Sequence, residues 1–170
     1  MSDTTPILRH AFAAVVLTTL AALLLAVSLM PLRPATSGFA VPDLVLCLAC
    51  AWALRHPQSA PMILMFAIGL IADLMLGRPV GLGALTLLLI TEVLRRQPAG
   101  VPFLLEWVFV SLLILLGSLA QLGVLMITFA ARPDTMMVLI NAVVTALCYP
   151  LLAGAVRAAL RIGRGRRQTE

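Results

Sequence analysis

Two aspartates, Asp43 and Asp73, stand within largely apolar stretches and are the residues best placed to do chemistry. A charged side chain inside a membrane span costs about 2.5–3.5 kcal/mol at the centre on insertion scales, less near an end, so it needs a partner. Asp73 lies about one turn from the end of its stretch, and Arg78, across a Gly77-Arg78-Pro79 turn, is the nearest counter-charge in sequence. The functional expectation is a binding or proton-relay acid. The structural one is an ion pair with Arg78, or a helix-end cap that locks the two flanking helices. Asp43 follows Pro42, which suits the first position of a helix, and an acid there meets the positive end of the helix dipole. Both aspartates fall toward the same end of their helices, so they are candidates for one polar cluster.

The other reactive types form no set. Cys47 and Cys50 make a Cys-x-x-Cys, but no second pair or histidine stands near, and small packing residues are expected there. His10 and His56 fall at helix ends without an acid at helical spacing. Ser28, Ser111, Ser118, Thr86 and Thr145 lie in apolar stretches with no Ser-His-Asp arrangement. Gly77, Gly81 and Gly83 lack the following Lys of a phosphate loop. No catalytic residue, metal ligand or cofactor is expected, and the chain reads as a non-enzyme.

The elements that carry these residues follow from composition. The chain has 170 residues, 62% hydrophobic and 11% charged. Soluble domains are about 45–50% apolar and about 25% charged, so the class expected is an all-α polytopic membrane protein. A span needs about 20 residues, so six is near the ceiling. Apolar runs bounded by Arg, Pro and Gly place spans at about 11–32, 41–54, 60–76, 80–94, 103–131 and 136–156, in one bundle, with a basic tail over 157–170. The first run is too long for a secretory signal. The fifth begins with a turn or two around Glu106 and Trp107 that should lie at the interface. Asn141, Tyr149 and Pro150 fall in the sixth.

Every basic residue is Arg, and the net charge is +5. With six spans, nine arginines fall on the side of the termini and three on the other. The positive-inside rule then puts both termini in the cytoplasm. Nucleic-acid binding is not expected, because the arginines lie between apolar stretches rather than on a soluble face. Trp52 and Trp107 are expected in the cytoplasmic aromatic belt. Arg157, Arg161, Arg164, Arg166 and Arg167 are read as a cytoplasmic anchor, drawn to anionic lipid by about 1 kcal/mol per residue. Small-x-x-x-small pairs such as Ala22/Ala26 and Ala49/Ala53 permit close helix packing.

Three blocks resemble the rod shape-determining MreD family. They are Val41-Pro42-Asp43-Leu44-Val45-Leu46 with Trp52 to Arg55; Gly69-Leu70-Ile71-Ala72-Asp73-Leu74 with Gly77, Gly81 and Ala84-Leu85; and Arg132-Pro133 with Asn141, Pro150 and Arg157. The resemblance implies a bacterial inner-membrane scaffold that partners with MreC. It also implies indirect links to MreB filaments and to the wall-synthesis enzymes RodA and its transpeptidase. On this reading Pro42, Asp43, Gly69, Asp73, Gly77, Arg78, Pro79, Gly81, Asn141 and Pro150 are the structural or partner-contact residues. The family is similar in fold to the substrate-capturing subunits of vitamin transporters. The alternative function is therefore small-molecule capture, which needs several polar groups converging in a pocket.

Overall fold

Six helices and no strand are found among the described residues: α1 (Thr4–Leu29), α2 (Leu44–Arg55), α3 (Met62–Leu76), α4 (Leu82–Arg95), α5 (Phe103–Ile127) and α6 (Thr135–Gly165). The computed structural model describes residues 4–29, 42–55, 61–97, 101–128 and 134–165. α5, and α6 as far as Arg157, are long and apolar enough to cross a membrane, with mean hydropathies of 2.4 and 2.0. Only 17% of the α5 stretch is buried, where the core helix of a soluble protein is mostly buried. Leu104, Leu105, Val108 and Leu112 point outward along one side of it. An apolar face of this length suits lipid rather than water.

α2, α3 and α4 have 12, 15 and 14 residues. At 1.5 Å per residue they reach only about 18–22 Å, short of a ~30 Å hydrocarbon core. α2 packs chiefly on α6 and α4, α4 on α3 and α5, and α5 on α6, so α2, α4, α5 and α6 close a ring. α1 leans on α2 and α3 from outside that ring. Enclosure explains why α2 carries the small side chains Cys47, Ala49, Cys50, Ala51 and Ala53, which are buried together with Leu48 and Trp52.

Two local expectations are corrected. Trp52 is 1% exposed, inside the core, because α2 is the enclosed helix; its indole faces the other helices and not lipid. Pro42 is not the first residue of α2. The helix opens at Leu44 with Asp43 outside it as its cap, since the Asp43 Oδ1 accepts from the Leu46 amide at 3.1 Å.

α6 carries Pro150 in its interior. A proline there has no N–H for the carbonyl four residues earlier, that of Ala146. The Trp107 Nε1–H of α5 donates to that carbonyl at 2.9 Å. The helix thus stays continuous, and α5 is tied to α6 at the place where α6 lacks a bond of its own.

Candidate functional site

The α3–α4 hairpin is built around Asp73. Gly69 lets the two helices touch: a Cβ on it would stand 2.7 Å from the Ala84 Cα. Gly77 ends α3 in the left-handed conformation (φ 63°), and its amide and that of Arg78 both donate to the Asp73 carbonyl. Pro79 and Val80 turn the chain, and Gly81, also left-handed (φ 91°), opens α4. The Asp73 side chain, 1% exposed, then points at the start of α4. Its Oδ2 accepts from the Gly81 amide at 3.0 Å and the Ala84 amide at 3.1 Å. Those amides have no partner within α4, and the helix dipole favours an anion there. One carboxylate, supplied by the preceding helix, therefore does the work of an N-cap. Of the readings set out for Asp73, the helix-end cap is the one the geometry supports.

Arg78 is not the side-chain partner of Asp73. Its Nη1 pairs with Oδ2 of Asp43, at the start of α2. The reason is geometric: Asp73 is turned inward beneath α4, while the guanidinium follows the turn outward to α2. Asp43 also holds α6, for its amide donates to the Thr145 hydroxyl at 3.0 Å, and the Cys47 thiol donates to the Thr145 carbonyl at 3.2 Å. Asp43, Asp73 and Arg78 do meet around one small cavity, as a single polar cluster.

The opposite end holds a second cluster that no motif announced. Glu106 of α5 pairs with Arg55 of α2 at 3.1 Å and with Arg157 of α6 at 3.6 Å. It also accepts from the Tyr149 hydroxyl. Arg157 lies over the Phe103 ring, 4.8 Å from its centroid. Three helices are joined through one carboxylate. The available signal was that Glu106 is the sole acid of α5 and Tyr149 the sole tyrosine of the chain. Within its own helix Glu106 has no cation at helical spacing, and that pointed to a partner elsewhere.

On the Asp43 side, a cavity of about 680 Å³ opens between α2, α4, α5 and α6. Asn141, Gln121, Ser118, Thr86 and the Asp43–Arg78 pair face it among apolar side chains. Gln121 donates to the Thr86 hydroxyl at 2.9 Å, bracing α5 on α4. In the basic stretch, α6 carries Arg157, Arg161 and Arg164 as one continuous helix. Arg166 and Arg167 lie outside the described residues, as do Arg33, His56, Arg132 and Pro133, and so do the side chains of His10, Arg161 and Arg164.

These features define a class: an all-helical membrane protein whose interior charges tie helix to helix. The family is more particular. The family model of MreD, rod shape-determining protein, matches residues 8–158, and the chain belongs to the MreD family. Membership points to a role in determining rod shape, as a structural component of that machinery. Neither the curated proteins nor the solved structures compared with the chain give a match.

Proposed function

We propose that this protein is a non-enzymatic scaffold of the cell-elongation machinery. It crosses the bacterial inner membrane six times, with both termini in the cytoplasm. It binds MreC and so helps couple MreB filaments to RodA and its transpeptidase. The observation that carries this reading is the use made of the interior charges. Asp43, Arg78, Asp73, Arg55 and Glu106 each hold one helix to another. Groups engaged in this way make a firm body with apolar outer faces. Ala22 and Ala26 are exposed on α1, where a partner helix would find a close approach. The arginines from Arg157 onward would keep the inner face near anionic lipid.

Co-purification tests the reading. MreC should follow the wild-type protein out of gently solubilised membranes. An Ala22→Leu, Ala26→Leu variant should keep its abundance and lose MreC. Wild-type protein that recovers no MreC overturns the partner, and undiminished MreC with the variant overturns the α1 face. A reporter fused to the carboxyl terminus reads the orientation: activity only in the cytoplasm is expected.

A further inference from the structure

We propose that the cavity between α2, α4, α5 and α6 is a binding site for an uncharged amphiphile whose head carries hydroxyl or amide N–H groups. Its volume, about 680 Å³, lies within the roughly 300–1,000 Å³ range of small-molecule sites. It extends along α5 from Ile114 to Leu125. That is about 16 Å at 1.5 Å per residue, around half the thickness of a hydrocarbon core.

Charge decides the first property of the ligand. The charged residues lining the cavity are Asp43 and Arg78, and they neutralise each other. A charged head would enter with no counter-charge, and burying an uncompensated ion is strongly unfavourable.

The hydrogen-bond inventory decides the second. The hydroxyl hydrogens of Thr86, Ser118 and Thr145 are already donated to the carbonyls of Leu82, Ile114 and Asn141 in their own helices. Ser118 keeps its full acceptor capacity, while Thr86 and Thr145 already accept one bond each, from Gln121 and from the Asp43 amide. Asn141 Oδ1 is buried, and among the described residues no donor reaches it. That oxygen is closed off by its neighbours, and Asn141 lines the cavity through the rest of its side chain. Arg78 and Gln121 each donate one bond and keep further N–H groups in the same lining, so a hydroxyl-bearing head, which both donates and accepts, matches it. The apolar share of the lining, including Leu122, Leu125 and Val138, would hold the ligand's apolar body.

The site does not depend on MreC binding, and the test does not depend on orientation. The full-length protein is placed in lipid nanodiscs, which are open to water on both sides. Equilibrium dialysis measures radiolabelled octyl glucoside below its micellar concentration, against empty nanodiscs. Saturable uptake of one molecule per protein is expected. Three probes with the same tail should bind at least tenfold more weakly: the tetra-O-methyl ether of octyl glucoside, octyl phosphate and octyltrimethylammonium. Asn141→Leu should weaken octyl glucoside binding about tenfold. Ser118→Ala, which removes an acceptor without adding bulk, tests the same point if the first variant is not recovered. Uptake no greater than that of empty discs overturns the site. Equal binding of the charged or methylated probes, or an unchanged affinity in both variants, overturns the chemistry assigned to it.

Discussion

The indole of Trp107 takes up the carbonyl that Pro150 leaves bare: its Nε1–H reaches Ala146 O at 2.9 Å, where residue 150 has no N–H to give. Removing that indole donor strands a carbonyl in the bundle. Trp107→Phe should destabilise the protein by about 1–2 kcal/mol, within the range for an unsatisfied buried group. With Pro150→Ala in the background the carbonyl regains an intrahelical bond, and the same Trp107→Phe change should cost measurably less. Thermal unfolding of the four proteins in one detergent gives the coupling; additive shifts would contradict the link.

Asp73 should tolerate loss of its charge better than loss of its oxygen. Asp73→Asn keeps an acceptor for the Gly81 and Ala84 amides, while Asp73→Ala strands both. The alanine variant should lose about 2–6 kcal/mol, at 1–3 kcal/mol per buried unsatisfied group, and the asparagine variant less than half of that. Abundance and thermal midpoint measure it. Equal losses would mean that the charge, not the hydrogen bonds, matters.

Gly83 has no room for a side chain, because a Cβ on it would stand 2.1 Å from Asp73 Oδ1. Gly83→Ala must push the carboxylate off the start of α4. A cost of about 1–3 kcal/mol is expected for overpacking, with any lost cap bond added to it. In an Asp73→Ala background the clash is gone, and Gly83→Ala should be close to neutral. A full penalty in that background would contradict the contact.

Glu106 should matter more than any one of its partners. Glu106→Ala leaves Arg55, whose side chain is 14% exposed, with an uncompensated charge. Breaking a buried pair this way costs about 3–5 kcal/mol, and the partial exposure places this case at the lower end. Arg157→Ala should cost under about 1 kcal/mol, because that side chain is 48% exposed and 3.6 Å away. Unfolding midpoints of the two variants, compared side by side, test the order.

Much of the architecture is local and was therefore legible. The apolar runs and their Arg, Pro and Gly boundaries mark the helices, because burial of apolar surface is summed over neighbouring residues of one segment. The turn at Gly77 was legible because glycine adopts a positive φ without penalty. The helix-end role of Asp43 was legible because a cap bonds to the first turn of its own helix, although the start of α2 lay further along the chain than Pro42 suggested.

What only the tertiary structure decided is partnership. Arg78 is nearest Asp73 along the chain, yet its guanidinium goes to Asp43, thirty-five residues away. Glu106 collects Arg55, Tyr149 and Arg157 from two other helices. Asn141, Ser118 and Gln121 share a cavity because the ring of helices closes around them. A charge inside an apolar protein must be compensated, and the sequence determined that each of these residues would need a partner. Which partner it has depends on the angles and depths at which the helices pack, and those are set by contacts between distant segments.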